Sequence, residues 1–276
     1  MPSVIETARW AAAQRARESE RPDHLFFDPL ARVLAGEEGM AALQLSERYN
    51  PSHEDTARYI SIRIRCFDDA VQHFAAAGIR QIVLLAAGMD ARAYRCAWPD
   101  GTTLYEVDHP ELLAMKEEIL QHQGHAPRCR RITLGMNLEH DWACPIVDAG
   151  FFQSERSVWL IEGLFYYLEE PAVNRVLAEV SRLASPGSTL LTDLVSHSLL
   201  TSPWMQDALK AMQERGIGWR FGTDDPAGLF SRYGWQAEVK SPDEEAVKHD
   251  PKRFCTSPSG RPAISGSYFV LAHRTS

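Results

Sequence analysis

The sequence has little with which to cross-link itself or hold a metal. Its five cysteines, Cys66, Cys96, Cys129, Cys144 and Cys255, are odd in number and scattered, with no C-x-x-C pair and no His/Cys metal spacing. That excludes a disulfide framework of the secreted kind and fits a reduced cytosol. No apolar run approaches the roughly 18 residues of a membrane span, and the first residues, with Glu6, Arg9 and Arg15, lack a signal-peptide core. The chain therefore reads as soluble, unprocessed and cytoplasmic, with no membrane partner. A basic surplus is missing too: 29 Lys and Arg against 37 Asp and Glu leave a net charge of -8, which argues against nucleic acid as a partner. Repeats and low-complexity stretches are absent. What is plentiful is apolar content, 45% over 276 residues, enough for one sizeable core with decorations.

A further absence is the most informative. Ile82 to Leu85 is an apolar run that ends in Ala86-Ala87-Gly88, as a buried parallel strand does before a ligand-binding loop. Asp108 follows Gly88 by twenty residues, at the end of a second strand-like run. This spacing suits a nucleoside, with backbone close at the glycine and a carboxylate accepting from the ribose hydroxyls. Two further glycines, needed to cradle a pyrophosphate, are replaced by Met89, Asp90, Ala91 and Arg92. A NAD-dependent oxidoreductase is thus the weaker alternative. Asp90 would repel phosphate and suit a cationic ligand, such as the ammonium and sulfonium of S-adenosylmethionine.

Around this stretch the periodicity predicts helices over residues 4–19, from Pro29 with Asp28 as N-cap, and over 53–77, with a break at Gly36 to Gly39. The long helix is capped by Ser52 or Asn50-Pro51. Arg63 and Arg65 interrupt its apolar face, and residue statistics make both solvated or paired with Asp68 and Asp69. Strands follow at 82–85, 103–107, 131–134, 157–161 and 188–194, with helices over 110–121 and 169–184 between them. That rhythm means βαβ units, right-handed crossovers and an open parallel sheet covered on both faces, an α/β fold. The strand-like runs 234–240 and 266–272 are separated by a polar, proline-bearing loop and should pair antiparallel.

Taken in order, several pieces resemble the leucine carboxyl methyltransferase superfamily, in its bacterial polyketide-synthesis O-methyltransferase branch. They are Thr7-Ala8 with Ala12 to Glu18, Phe27-Asp28-Pro29-Leu30-Ala31, Arg63 to Asp69, Val83 to Arg95, Tyr105 to Pro110, Ile161 to Leu164, Tyr166-Tyr167-Leu168, Phe221-Gly222-Thr223 and Tyr233-Gly234-Trp235. The resemblance implies a class I methyltransferase fold, Rossmann-like, with a mostly parallel seven-stranded sheet and an antiparallel C-terminal strand. One domain would comprise an N-terminal helical cap (1–78), a nucleoside-binding core (79–195), a substrate lid (196–230) and the C-terminal strands (231–276).

It also implies S-adenosyl-L-methionine as cofactor, held by Arg63, Ala87, Gly88, Asp108, Asn137, Leu138 and Glu162. In that role Arg63 grips the ligand carboxylate with a planar donor fork, while Arg65 keeps its ordinary reading. Asn137 stands where the family usually has aspartate, and its carbonyl oxygen can still accept from adenine. Ala86 replaces the family's first loop glycine, which is tolerable at negative φ. Methyl transfer from a sulfonium is an in-line displacement that depends on alignment and desolvation. A carboxylate acceptor on a small metabolite or natural product needs no base, and a hydroxyl acceptor is less favoured. Candidates to orient it are Tyr166, His197 and Arg220. A non-catalytic S-adenosylmethionine-binding protein is the remaining alternative.

Overall fold

The computed structural model describes residues 2–49, 53–138, 142–251 and 266–275. In chain order the elements are α1 (Pro2–Ser19), α2 (Ala31–Tyr49), α3 (His53–Ala76), β1 (Gln81–Leu85), α4 (Arg92–Arg95), β2 (Thr103–Asp108) and α5 (Pro110–His122). Then come β3 (Arg130–Gly135), α6 (Ala143–Asp148), β4 (Ser157–Ile161), α7 (Glu170–Leu183), β5 (Thr189–Val195), α8 (His197–Thr201) and α9 (Gln206–Glu214). The chain closes with α10 (Pro226–Ser231), β6 (Trp235–Lys240), α11 (Pro242–His249) and β7 (Ser267–Arg274).

Seven strands form one sheet in the order β3-β2-β1-β4-β5-β7-β6. Pairings among β1 to β5 are parallel, and β7 runs antiparallel to both β5 and β6. The expected antiparallel end is therefore present, although the first part of the connection between its strands is a helix, α11. Ser241 takes the N-cap position, Pro242 the first turn and Asp243, Glu244 and Glu245 follow, which is a helix start.

Alternation along the central strands separates two buried layers. Ile82, Leu84, Leu104 and Leu160 face one side with residues of α1, α2, α3 and α5. Val83, Leu85, Tyr105, Val107, Trp159 and Ile161 face the other with α6, α7 and α10. Because β1 and β4 are covered on both faces, every residue in them is buried.

The N-terminal helices pack through small residues. Ala12, Ala13 and Ala16 are buried, and a Cβ on Gly39 would come within 2.6 Å of the Arg9 carbonyl oxygen. The predicted break at Gly36 is a kink inside α2, with φ +62° there. Helix α2 starts at Ala31, two residues after the predicted Pro29, and Asp28 instead accepts from the Leu30 N–H at 3.0 Å. The residues expected to cap α3 lie outside the described ones. No helix among the described residues is long and apolar enough to cross a membrane, and Cys66, Cys96, Cys129 and Cys144 are free thiols.

Candidate functional site

A cavity of about 1470 Å³ opens at the carboxyl ends of β1, β2 and β4. Its floor includes Ala86 to Asp90, Asp108, Asn137, Leu138 and Glu162, and its walls come from α1, α3 and the segment between Leu199 and Arg220. This is where open α/β sheets bind ligands, because loops leaving adjacent strands diverge there.

The loop after β1 turns sharply. Ala87 donates its N–H to the Val107 carbonyl at 3.2 Å, while Ala86 and Gly88 have φ of +56° and +51°. The negative φ expected for Ala86 is thus corrected: an L residue occupies the left-handed region, at a cost of roughly 1–2 kcal/mol. Ala86→Gly should accordingly raise the unfolding free energy by up to ~1 kcal/mol, allowing for the extra unfolded-state entropy of glycine. A thermal melt that fell instead would show that the alanine methyl contributes packing worth more than the strain.

Asp108 ends β2 with its carboxylate almost fully buried. One oxygen accepts from the Gly88 N–H at 2.6 Å and the other from the His109 N–H at 2.7 Å. Burial pushes its pKa above the usual carboxylate value, against the pull of those two donors. The same two hydrogen bonds fix the loop over the strand end and leave further lone pairs for a ligand.

Charge is densest around Arg63. Its Nε donates to Glu162 at 3.1 Å, and its Nη1 donates to Asp193 at 2.7 Å and to the Tyr166 hydroxyl at 3.2 Å. Burial alone would lower the guanidinium's pKa, but Asp193 and Glu162 more than reverse this. Asp193 is fully buried and also accepts from the Tyr59 hydroxyl at 3.0 Å and the Gly163 N–H at 2.7 Å. Glu162 bridges to a second arginine, Arg92, whose Nη2 donates at 2.9 Å. Arg92 in turn binds Asp68 at 2.7 Å and contacts Asp90. Burial raises the pKa of Asp90, yet Arg92, helped by Lys116, Arg95 and Arg15, holds it at about 2. Asp90 stays ionised, but its charge is shared with Arg92, so its pull on a free cation is smaller than its position in the sequence suggested.

The same cavity gathers Arg63, Ala87, Gly88, Asp108, Asn137, Leu138, Glu162, Tyr166 and Arg220. Arg65 keeps its ordinary role, pairing with Asp69 at 2.9 Å one turn along. His197 is a correction. It is exposed and absent from the cavity wall, because Ser196 caps α8 through the Leu199 N–H and leaves residue 197 in the first turn, facing outward. Arg220 sits at an exposed rim beside Glu169, 3.4 Å away, while its backbone N–H donates to the Tyr166 carbonyl at 2.6 Å. Three residues of the floor carry no motif in the sequence that marks this role: Tyr59, Arg92 and Asp193. A charged residue inside the strand-like run Leu190 to Val195, apolar but for Thr192, is the available signal for the last.

Comparison with known proteins gives the family and the fold. The leucine carboxyl methyltransferase family matches residues 8–181. A relative from Parafrankia sp. (strain EAN1pec), designated an S-adenosyl-L-methionine-dependent methyltransferase, is 38% identical over 98% of this chain and 87% of its own length. One from Streptomyces coelicolor with the same designation is 34% identical, over 89% and 88%. Among solved structures, a DUF574 family protein from Streptomyces avermitilis superposes with a TM-score of 0.63 at 14% identity, covering 95% of this chain and 96% of that one. A protein from Thermobifida fusca, assigned as a methyltransferase, gives 0.63 at 16% identity, over 98% and 94%. At those identities the structural matches speak for the fold alone, which is that of the class I methyltransferases.

Proposed function

The chain belongs to the leucine carboxyl methyltransferase family and depends on S-adenosyl-L-methionine; on that premise we propose that it methylates a carboxylate oxygen of a small molecule with a sizeable apolar body. The residues in the cavity suit the cofactor. Asp108 has lone pairs for the two ribose hydroxyls, the Gly88 backbone is uncluttered by a side chain, Asn137 and Leu138 flank the place for a base, and Arg63 has a remaining Nη2 to meet a carboxylate. When bound, the cofactor supplies an electrophilic methyl group on a sulfonium.

The observation that carries the choice of acceptor is the state of the titratable groups. A hydroxyl acceptor needs a base close to the transfer point. Among the described residues Glu162 and Asp193 are tied to Arg63, and Asp90 to Arg92. Burial, together with the Asp193 charge, pushes the Tyr59 and Tyr166 hydroxyls well above their ordinary range, so they serve as donors and not as bases. Among the described residues the histidine on the cavity wall is His109, which adjoins Asp108 at the ribose end. Further carboxylates, Glu6 and Asp207, are exposed, and Asp55 lies eight residues before Arg63, about 12 Å along the axis of α3. A carboxylate acceptor is already a nucleophile at neutral pH and requires only placement, for which Tyr166 can donate and Arg220 can attract from the rim. The segment from Leu199 to Arg220 would act as the lid that excludes water. Trp10, Ile60, Leu164, Leu168, Met205 and Trp219 give the walls an apolar character suited to more than a simple acid.

The test uses methyl-labelled S-adenosylmethionine with a panel of apolar carboxylic acids, each matched with its alcohol or phenol. Label transferred to the acids and released as methanol by mild alkali is the expected outcome, since esters hydrolyse and ethers do not. Alkali-stable label on the hydroxyl compounds would replace a carboxylate acceptor with a hydroxyl one. Cofactor binding with no transfer to any acceptor would leave a non-catalytic binding protein.

A further inference from the structure

Away from the cavity, the packing of α11 on α3 brings together three side chains of different ligand chemistry. Glu245 and His249 stand four residues apart on α11 and so share a face; that face meets Cys66 of α3. Cys66 Sγ lies 3.7 Å from Glu245 Oε2, and His249 Nε2 lies 3.8 Å from the same oxygen. All three ligand atoms fall within 4.8 Å of one another. Donor atoms bound at about 2.0–2.3 Å to a tetrahedral zinc stand about 3.4–3.7 Å apart, so two of the three edges are close to that size before any ion enters.

The surroundings match as well. The other ring nitrogen of His249, Nδ1, faces Asp69 Oδ2 at 3.8 Å, and Asp69 is itself held by Arg65 Nε at 2.9 Å. Metal-bound imidazoles are oriented by a carboxylate that accepts from the free ring N–H, and Asp69 lies on that side, a short closure away from such a bond. Helix pairing alone would account for Glu245 and Lys248, whose Nζ is 3.6 Å from Oε2. It accounts for His249 as well, one turn along, but gives no reason for a thiol from another helix to meet the same carboxylate.

We propose that Cys66, Glu245 and His249 form a three-ligand site for a divalent ion of the zinc class, with water in the fourth position. A thiolate, an imidazole and a carboxylate are a donor set that zinc and cobalt accept and that magnesium or calcium does not favour. As the sulfur–metal bond forms, the thiol proton passes to solvent. The ion would tie α3, which carries Arg63 three residues before Cys66, to the helix joining β6 and β7.

The experiment titrates the chelator-treated full chain with Co²⁺, read by absorbance and thermal midpoint, and then with competing Zn²⁺. One equivalent of Co²⁺ should produce a thiolate-to-cobalt charge-transfer band that Zn²⁺ erases, with a rise of several degrees in the midpoint. Cys66→Ser should lose the band, and Asp69→Asn should keep it with about ten-fold weaker affinity. S-adenosylhomocysteine binding reports whether each variant is folded, and His249→Gln provides the same comparison should Cys66→Ser fail to fold. No band in the wild type, or an undiminished band in Cys66→Ser or His249→Gln, overturns the proposal.

Discussion

Asp108→Ala is expected to weaken S-adenosylhomocysteine binding on the order of 10²–10⁴-fold, because two charge-assisted hydrogen bonds of about 1.5–3 kcal/mol each disappear together. The carboxylate is well placed for this loss to be complete. Its oxygens already hold the N–H groups of Gly88 and His109, which fixes its position. Stability should respond differently. The folded-state pKa of Asp108 is raised by burial, so the folded chain binds this proton more tightly than the unfolded chain does. The group's contribution is therefore fully present at low pH and is lost as pH rises through the folded pKa. At neutral pH the ionised Asp108 costs stability, which partly offsets what the two backbone N–H groups lose when the side chain is truncated. A calorimetric titration showing affinity within about three-fold of wild type would remove Asp108 from the ribose site. A large loss of binding with a small change in urea midpoint is the result that fits.

How far the site can be read from the chain depends on whether its parts are local. The strand β1, the loop glycine Gly88 and Asp108 lie within one βαβ unit, so hydrophobic run length and spacing locate them without any knowledge of packing. Arg63 needed the family resemblance, since on helical periodicity alone its partners would be Asp68 or Asp69. Its actual partners, Asp193 and Glu162, are 130 and 99 residues away. Long-range ion pairs leave no periodic trace. Asp68, expected near Arg63, instead receives Arg92 and Arg95.

The left-handed Ala86 is hidden for a related reason. Local preference opposes a left-handed alanine, and the pairing of Ala87 with Val107 imposes it. Helix α11 is different in kind, because its start signals are all local: Ser241, then Pro242, then three acids. Proline suits a loop and a first helical turn alike, and Pro242 occupies the turn. For His197, nothing in the residue type distinguishes a ring in the cavity from one turned outward; the Ser196 cap decides it.

Asp193→Asn should be the most destabilising conservative change in the site, by about 3–5 kcal/mol, as removal of one partner from a buried ion pair typically is. Three donors converge on this side chain: the Gly163 N–H on one oxygen, and Arg63 Nη1 with the Tyr59 hydroxyl on the other. Asparagine offers one oxygen and one amide nitrogen, so whichever way it sits, a donor faces a donor in a site closed to solvent. The remaining anion near Arg63 is Glu162, already shared with Arg92. A midpoint drop of about 10 °C is expected for a chain of this size. Because the penalty comes largely from a cation left without its buried partner, removing the cation should relieve part of it. The double variant Arg63→Met with Asp193→Asn should then be more stable than the sum of the two single losses by about 1–3 kcal/mol. Strict additivity would mean that the two side chains are neighbours without being an energetic unit, and that Arg63 owes its position to the packing of α3 alone. Coupling of the expected sign would mean that Asp193, far from any cofactor atom in sequence, holds the guanidinium that the cofactor's carboxylate is proposed to meet. In that case Asp193→Asn should also weaken S-adenosylhomocysteine binding even under conditions where the variant remains fully folded.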